Sequence, residues 1–513
     1  MPGGAASDRY SRSTTSIANC GLAIMSLPGN FLWGFATASY QIEGAPDEDG
    51  RGPSIWDTFC EIPGKIADGS SGAIACDSYR RWQDDVALLK SLGAQVYRFS
   101  ISWSRVIPLG GRNDPVNHAG LDHYVRLVDA LLEAGITPFI TLFHWDLPDG
   151  LEKRYGGLLS HDEFPLDFEH YARTVFAAIP KCKHWITFNE PWCSSILGYS
   201  LGVFAPGRTS DRSRSAVGDS AHEPWLVGHN LLVAHGRAVR AYRDDFKTAS
   251  PDGEIGITLN GDATYPWDPE DGEDVAAAQR KLEFSIAWFA DPIYFGHYPE
   301  SMRAQLGDRL PSFTEAERQL VQGSNDFYGM NHYTADYVRH RPGSPAVEDF
   351  VGHLETLPVS RAGEWIGPET QSTWLRPNPG GFRTLLGWIS RRYGRPRVYV
   401  TENGTSIKGE NSLPTAEVTD DVFRVRYFDE YVHAMAEAVR DDGVDVRGYM
   451  AWSLLDNFEW AEGYETRFGV TYVDYAGGQQ RHPKKSALAM KALFASLVEH
   501  NQIPQTYSAP AVE

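Results

Sequence analysis

The sequence predicts one closed α/β fold, a single (β/α)8 TIM barrel with long loops between its strands and the helices that follow them. Eight apolar, strand-like runs succeed one another along the chain, and most are separated by segments with helical periodicity. Nearly every run ends on a polar or aromatic residue. An open doubly wound sheet would concentrate such residues at one switch point, whereas a barrel distributes them round its rim. The closed barrel is therefore favoured over the open sheet.

The strand-like runs are short and apolar, and turn signals bound them, as is typical of buried strands. They cover residues 33–39, 96–102, 137–145, 184–190, 255–260, 326–333, 398–403 and 447–455. Apolar residues at helical spacing predict helices over residues 79–92, 120–134, 223–246, 423–440 and 487–498. The first two of these end near Gly93 and Gly135, as helices often do. Two long polar insertions, residues 207–222 and 339–372, follow strands and are expected to be rim loops.

The chain is predicted to form one domain with short ends. No linker or tandem repeat interrupts its middle part, and single α/β barrels often exceed the usual domain size. We expect residues 26–498 to form the barrel, residues 1–25 to be a disordered extension and residues 499–513 to be a tail. The extension lacks the basic start and the long apolar segment of a secretory signal, which favours a cytoplasmic location.

Composition argues against several classes of partner. The formal net charge is −20 and the isoelectric point is near 5.3, so the surface repels phosphate backbones and anionic lipids. We therefore expect neither nucleic-acid nor membrane partners, and no apolar run is long enough to span a bilayer. The 15 Trp and 24 Tyr residues are more informative, because such an excess is typical of a site that stacks on sugar rings.

No metal or cofactor is predicted for the reaction. The five cysteines form no CxxC pair and show no His/Cys spacing typical of zinc. His144 and Asp146 could be a fragment of a metal site, but no further set of ligands accompanies them. His229 and His235 lie within a helical pattern and are interpreted as structural or surface residues.

Two glutamates end two of the strand-like runs in the same way. Glu402 follows Val-Tyr-Val-Thr and precedes an asparagine, and Glu190 follows Ile-Thr-Phe-Asn and precedes a proline. One glutamate at a strand end is usually a solvated or ion-paired residue. Two of them at homologous places match the requirement of glycoside hydrolysis for one protonated and one ionised carboxyl group flanking the bond to be cleaved.

Other polar and aromatic residues near the strand ends each have a second interpretation. His144 is interpreted as a neutral imidazole that binds a sugar hydroxyl group, with a packed core histidine as the alternative. Arg98, in the second run, would be costly to bury alone and needs a carboxylate partner, for which Glu402 is the obvious candidate. Gln41 is either a loop amide or a ligand of the sugar. The same choice between core and sugar pocket applies to Trp452, Glu459 and Trp460.

Three motifs together resemble family 1 of the glycoside hydrolases. Residues 31–44 resemble its N-terminal signature, residues 187–191 its acid/base motif and residues 400–404 its nucleophile motif. One five-residue match is moderately specific, whereas all three in order on a barrel pattern are strong. The resemblance extends over residues 27–498, and the segment after Pro191 is similar to that of intracellular fungal β-glucosidases.

The resemblance implies a role for each residue singled out. Glu190 would be the general acid/base, Glu402 the nucleophile, and Asn189 would bind the hydroxyl group beside the anomeric carbon. Trp374 would stack on the leaving-group sugar. The residues that would orient Glu402 are Arg98, Asn331 and Tyr333; those lining the glycone subsite are Gln41, His144, Trp452, Glu459 and Trp460; and those narrowing the entrance are Trp192 and Leu197.

The resemblance also implies the reaction. It is the retaining, two-step hydrolysis of terminal non-reducing β-D-glucosyl residues from cellobiose, short cello-oligosaccharides and aryl or alkyl β-glucosides, with these small molecules as the partners. Side activity on β-galactosides and β-fucosides is expected because Glu459 would accept hydroxyl groups in either arrangement. A predominantly transglycosylating enzyme and a non-catalytic sugar-binding barrel are the alternatives.

Environment should separate the two carboxyl groups. Arg98 and the hydroxyl group of Tyr333 should stabilise the charge of Glu402 and so lower its pKa. That charge, together with partial burial, should raise the pKa of Glu190 and keep it protonated near neutrality. The two-step mechanism further predicts carboxyl groups about 5–5.5 Å apart.

Overall fold

The computed structural model describes residues 26–498, and the core of this part of the chain is a closed barrel of eight parallel strands. The first strand, Leu32–Ala36, pairs with both Val96–Ser100 and Val446–Trp452, which closes the ring. The predicted (β/α)8 barrel is confirmed, whereas the two predicted tails, residues 1–25 and 499–513, lie outside the described residues. In chain order, β1 to β8 are Leu32–Ala36, Val96–Ser100, Thr137–Phe143, His184–Asn189, Glu254–Asn260, Tyr328–Asn331, Val398–Asn403 and Val446–Trp452.

Several strands end earlier than the sequence predicts. β1 stops at Ala36 instead of residue 39, because Ser39 begins the short helix Ser39–Ile42. β3 and β4 stop before Trp145 and Glu190, whose φ angles of 73° and 46° are left-handed and cannot continue a strand. The predicted runs therefore extend past the strands into a helix start and into residues with left-handed backbones.

Helices follow the strands and cover the barrel. The long helix predicted over residues 223–246 is α-helical to Ala241 and then continues as a π-helical turn, Tyr242–Phe246. Within residues 26–498 no helix is both long and apolar enough to cross a membrane. The longer helices are Ser78–Leu92, His118–Glu133, Phe164–Ala178, Glu223–Ala241, Gly272–Leu282, Pro379–Arg392, Val422–Asp441 and Lys485–Leu497; the shorter ones include Ile55–Cys60, Trp103–Val106, Asp149–Tyr155, Pro191–Tyr199, Trp288–Phe295, Glu300–Leu306, Glu315–Val321 and Thr415–Val418.

The second predicted rim loop, residues 339–372, is partly a sheet. Its first residues belong to the strand Ala335–His340, which pairs in parallel with Ala263–Pro266 and antiparallel with Leu354–Leu357. A loop prediction fails here because these strands are half-buried and pair with a segment far away in sequence. A hairpin of Thr471–Asp474 and Gln480–Pro483 follows β8.

The two ends of the barrel differ in polarity. At the amino ends of the strands, Phe139, Phe327 and Tyr399 pack edge to face with ring centroids 5.1–5.4 Å apart, which closes the barrel with apolar surface. Toward the carboxyl ends the buried side chains become polar and include Arg98 and Glu402. The fold thus places these two charged side chains toward one end of the barrel.

Candidate active site

A cavity of about 500 Å³ opens at the carboxyl end of the barrel, and both candidate glutamates line it. Glu402 is the fifth residue of β7, and Glu190 directly follows β4. Arg98, Asn189 and Gln41 do not line the cavity; they are fully buried behind its wall and reach it through hydrogen bonds. The other predicted residues that line it are His144, Trp192, Leu197, Asn331, Tyr333, Trp374, Trp452, Glu459 and Trp460.

Glu402 is held by one cation and one phenol. Arg98 donates from Nη1 to Oε1 of Glu402 (2.5 Å), and the hydroxyl group of Tyr333 donates to Oε2 (2.6 Å). Arg98 is itself fixed, because its other nitrogens donate to Oδ1 of Asn189 (2.6 Å) and Oγ1 of Thr141 (3.1 Å). The predicted ion pair between Arg98 and Glu402 is confirmed.

The pKa of Glu402 nevertheless moves in the direction opposite to the prediction. Burial raises the pKa of this carboxyl group and outweighs the opposing effects of Arg98 and of the Tyr333 hydroxyl group. The expected lowering of the Glu402 pKa is therefore wrong. The free-energy cost of removing this carboxylate from water exceeds the stabilisation that one cation and one phenol provide.

Glu190 lies in a different environment, where no cationic side chain of residues 26–498 forms an ion pair with it. Its oxygens accept hydrogen bonds from Nδ2 of Asn331 (2.7 Å) and from the thiol of Cys193 (3.1 Å). Burial, and then the negative charge of Glu402, raise the pKa of Glu190 to about 8. The prediction that the pKa of Glu190 is raised, with the charge of Glu402 contributing, is confirmed; burial is the larger cause and acts on both carboxyl groups.

Asn331 interacts with Glu402, as the resemblance implies, but also with Glu190. Its amide donates to Glu190, and to Oδ1 of Asn189 at 3.1 Å, and its effect on the pKa of Glu402 is weaker than those of Arg98 and Tyr333. Its Oδ1 accepts from the hydroxyl group of Thr401 (2.7 Å), which fixes the orientation of the amide. Asn331 thus contacts Glu190 directly, and its hydrogen bond lowers the pKa of that carboxyl group.

His144 and Gln41 each have a buried polar atom without a hydrogen-bond partner within residues 26–498. Asn189 donates from Nδ2 to Nε2 of His144 (3.0 Å), and Nδ1 of His144 is without a partner. Burial lowers the pKa of His144 far below its usual value, so the imidazole is neutral as predicted. Gln41 donates to the main-chain oxygen of Phe458 (3.0 Å) and to Glu459 (3.3 Å), while its Oε1 has no partner. Buried orphan atoms of this kind are suited to sugar hydroxyl groups.

Glu459 differs from the simple acceptor that the sequence suggests. Burial, followed by the nearby charges of Glu462 and Glu402, raises its pKa well above the usual range. A protonated Glu459 offers one donor and one acceptor instead of two acceptors. With Gln41 beside it, the pair can still bind two neighbouring hydroxyl groups.

Aromatic rings form the floor and the entrance of the cavity. His144 stacks against Trp452 and Trp460, with ring centroids 5.9 and 5.8 Å apart. Trp374 is 50% exposed and meets Tyr333 edge to face, with centroids 5.7 Å apart. The flat apolar surfaces thus lie beside the polar groups, as in pockets that bind sugars.

Three residues of the cavity wall adopt left-handed backbone conformations without being glycine. These are Trp145, Glu190 and Trp460, with φ of 73°, 46° and 51°. Each such residue costs on the order of 1–3 kcal/mol and persists only where the surroundings enforce it. Gly404, which follows Glu402 and Asn403, lies at a position that has no room for a side chain. A Cβ there would lie 1.8 Å from the carbonyl oxygen of Trp452.

Sequence reasoning missed several residues of the cavity. Trp145 follows His144 directly and donates from Nε1 to the carbonyl oxygen of Asn189 (3.0 Å), and Cys193 lies three residues after Glu190 at the start of a helix. Cys193 could have been found from its spacing, since residues three apart on a helix are neighbours. Phe204 and Asp262 also line the cavity, but they come from loops with no local signal.

Comparisons with known proteins agree with this geometry. The model of the family "Glycosyl hydrolase family 1" matches residues 24–502. Beta-glucosidase 1B of Phanerodontia chrysosporium is 53% identical over 479 residues, which are 93% of this chain and 87% of that protein.

Solved structures are similar over nearly their whole length. The glucose complex of a GH1 β-glucosidase from the fungus Humicola insolens is 72% identical, with a TM-score of 0.92, and the match covers 93% of this chain and 99% of that one. A mutant rice β-glucosidase in a covalent complex with Glc is 43% identical, with a TM-score of 0.88, over 92% of this chain and 99% of that one. Together with the family match and the two strand-end glutamates in one cavity, these likenesses show that the chain belongs to family 1 of the glycosyl hydrolases.

Proposed function

We propose that this protein is a retaining β-glucosidase that releases terminal non-reducing β-D-glucosyl residues from cellobiose, short cello-oligosaccharides and aryl or alkyl β-glucosides. One observation carries the proposal. Two buried glutamates line the same cavity, Glu402 paired with Arg98 and Glu190 without a cation, and the pKa of Glu190 is raised to about 8. That difference supplies the nucleophile and the acid that the reaction requires.

In the first step Glu402 attacks the anomeric carbon while Glu190 protonates the oxygen of the leaving group. The bond from carbon to the leaving oxygen breaks as the bond from carbon to Glu402 forms. Once Glu402 is esterified its negative charge is gone, so the pKa of Glu190 falls and it becomes ionised near neutrality. Arg98 and Tyr333 keep the attacking carboxylate in place.

In the second step the ionised Glu190 takes a proton from water, and the water attacks the same carbon. The ester bond to Glu402 breaks, and the sugar leaves with the configuration it had in the substrate. The covalent complex with Glc recorded for the mutant rice relative supports such an intermediate. A crystal structure should place the two carboxyl groups about 5–5.5 Å apart, and a gap of roughly 6.5 Å or more would indicate inversion.

Glucose is the expected sugar because the relatives named above are β-glucosidases. Gln41 and Glu459 together offer donors and acceptors toward one edge of the sugar ring. Since a protonated Glu459 can rotate its donor between hydroxyl arrangements, weaker activity on β-galactosides and β-fucosides is also expected.

The decisive experiment replaces the proposed nucleophile. Glu402→Ala should lose nearly all turnover of an aryl β-glucoside and regain part of it with azide, which enters from the face that Glu402 vacates. The rescued product should be the α-glucosyl azide, whereas the wild-type enzyme should release β-glucose first, as NMR can follow. Normal turnover by Glu402→Ala, or α-glucose as the first wild-type product, would refute the assignment. No turnover by the wild-type protein would favour a non-catalytic sugar-binding barrel.

Transglycosylation is a second candidate activity, and Trp374 favours it. This half-exposed tryptophan lies at the cavity entrance, where an acceptor sugar can stack and compete with water for the intermediate. Product analysis at high cellobiose concentration measures the balance. Trp374→Ala should shift the products from trisaccharide toward glucose.

A cytoplasmic location is part of the proposal. Cys60, Cys76, Cys182 and Cys193, the cysteines within residues 26–498, are free thiols, which is typical of reducing compartments. Fractionation of the source cells with an antibody tests it.

A further inference from the structure

Three potential metal ligands meet in the helical layer of the barrel, outside the active site. His161 lies in the turn before the helix Phe164–Ala178, His229 lies in Glu223–Ala241, and Glu317 lies in Glu315–Val321. One ligand atom from each lies within 4.8 Å of the other two, the only such group found in residues 26–498. None of the three lines the active-site cavity.

The hydrogen bonds around His161 leave an unpaired acceptor facing a carboxylate. Asn230 donates from Nδ2 to the carbonyl oxygen of Leu158 (2.9 Å), so its Oδ1 faces His161 at 2.9 Å from Nδ1. Because Oδ1 can only accept, the proton of a neutral His161 is on Nδ1. The lone pair of Nε2 then points at Oε1 of Glu317, 3.0 Å away. Two acceptors so close repel each other unless a second proton or a metal ion lies between them.

His229 presents the same nitrogen to the same oxygen. Its Nε2 lies 3.8 Å from Oε1 of Glu317, and its Nδ1 lies 2.9 Å from the hydroxyl group of Tyr298. The ring is 3% exposed and packs against Phe313.

Glu317 is fixed through its other oxygen. Oε2 accepts from the main-chain nitrogen (2.7 Å) and the hydroxyl group (2.8 Å) of Thr314, which forms a capping box and leaves Oε1 free for the two histidines. Outer hydrogen bonds that orient histidine and carboxylate ligands are typical of metal sites. Zinc bonds of about 2.0–2.2 Å place tetrahedral ligands about 3.4 Å apart, so a small movement of the half-exposed His161 completes the geometry.

We propose that His161, His229 and Glu317 form a structural binding site for a borderline divalent metal ion, Zn²⁺ above all. Two imidazole nitrogens and one carboxylate oxygen are a ligand set that zinc prefers over the harder Mg²⁺ and Ca²⁺. His161 is 46% exposed, so the fourth position is open to water. The ion would tie three segments of three successive strand–helix units to one another, without touching the reaction.

The test titrates Zn²⁺ into full-length protein that has been treated with a chelator and then freed of it. We expect saturation at about one Zn²⁺ per chain in calorimetry, a rise in Tm, and the intense visible bands of tetrahedral Co²⁺ when Co²⁺ replaces Zn²⁺. Turnover of an aryl β-glucoside at room temperature should be the same with and without the metal, so the outcome does not depend on the proposed function.

Two variants locate the site. His161→Ala changes a half-exposed ring, should fold normally and should weaken Zn²⁺ binding by at least about tenfold, since even outer partners of metal ligands contribute that much. His222→Ala is the matched control, because His222 is another exposed histidine beside a carboxylate, Asp219; it should retain the full Zn²⁺ effect. The proposal is overturned if Zn²⁺ leaves the Tm of the wild-type protein unchanged, or if His161→Ala binds Zn²⁺ as tightly as wild type. In that case the close approach of His161 to Glu317 is a direct contact without a metal ion.

Discussion

At the scale of single residues, the two catalytic candidates can be tuned separately, because different neighbours contact them. The thiol of Cys193 donates to Glu190, and the phenol of Tyr333 donates to Glu402. Each hydrogen bond favours the charged form of the carboxyl group that accepts it. The two limbs of a bell-shaped pH profile should therefore respond to different substitutions.

Cys193→Ala should move the alkaline limb of kcat/KM to higher pH. The Cys193 hydrogen bond lowers the pKa of Glu190, so its removal raises that pKa and the proton needed for the first step is retained longer. Cys193→Ser keeps a donor and should restore the wild-type limb, and Cys182→Ala, another buried thiol, should leave it in place. An alkaline limb that stays put or moves down in Cys193→Ala contradicts the assignment.

Tyr333→Phe should move the acid limb to higher pH and reduce kcat/KM. Loss of the phenol removes a group that lowers the pKa of Glu402, so the nucleophile becomes protonated at a higher pH than in wild type. A hydrogen bond to a charged group contributes about 1.5–3 kcal/mol, which corresponds to a roughly 10- to 100-fold loss of rate. Tyr337→Phe, outside the cavity, is the control; an unchanged acid limb in Tyr333→Phe would show that another group sets it.

At the scale of secondary-structure elements, a buried ionic network joins the end of the chain to the loops of the active-site rim. Glu410 accepts from Nη2 of Arg424 (2.7 Å) and from Lys484 (2.7 Å), and Lys484 also reaches Asp456 (2.9 Å). These four come from the loop after β7, the helix Val422–Asp441, the residue before the last helix and the loop after β8. The network therefore holds the last two loops of the rim against the last helix.

Glu410→Gln should destabilise the fold by about 3–5 kcal/mol, because it leaves buried cations without their counter-charge. In the native protein, burial opposes ionisation of Glu410, but Arg424 and Lys484 prevail and lower its pKa to about 2. Its contribution is thus complete above the unfolded-state pKa, about 4.5, and is lost as the pH falls towards 2. Urea midpoints at pH 7 measure the loss of stability, with the exposed Glu417→Gln as control. Equal midpoints for the two variants would show that the network does not stabilise the fold.

The elements also show what the sequence can and cannot predict. The order and type of the barrel strands follow from apolar periodicity, and so does the position of Glu190 and Glu402 at one rim. The strand ends do not, because the predicted runs include Trp145 and Glu190, whose backbones are left-handed and lie beyond the strands. The direction of the pKa shift of Glu402 also escapes the sequence, since it depends on how completely the fold removes water from that carboxyl group.

At the scale of the whole molecule, the buried glutamate of the active site lowers the stability of the fold. Glu190→Gln should show by how much. The unfolded chain loses the Glu190 proton near pH 4.5, while the folded protein keeps it to about pH 8. Between these values the folded state binds more protons than the unfolded state, so stability falls as the pH rises. Glutamine cannot titrate and escapes this loss.

The Tm of Glu190→Gln should therefore exceed that of wild type, and the difference should grow from pH 5 to pH 8. Thermal unfolding at both values measures it, with the exposed Glu133→Gln as a matched control that should show no such trend. A variant with lower Tm than wild type at pH 8 would mean that Glu190 carries a stabilising contact that its buried charge does not outweigh.

Closure of the ring between β1 and β8 has a consequence for biosynthesis. β1 leaves the ribosome early, yet one of its two neighbours begins only at Val446. Until then the nascent sheet has two open edges, β1 and β7, and each can pair with a strand of another chain. The nascent protein is thus most exposed to misassembly in the interval before β8 emerges and covers both edges.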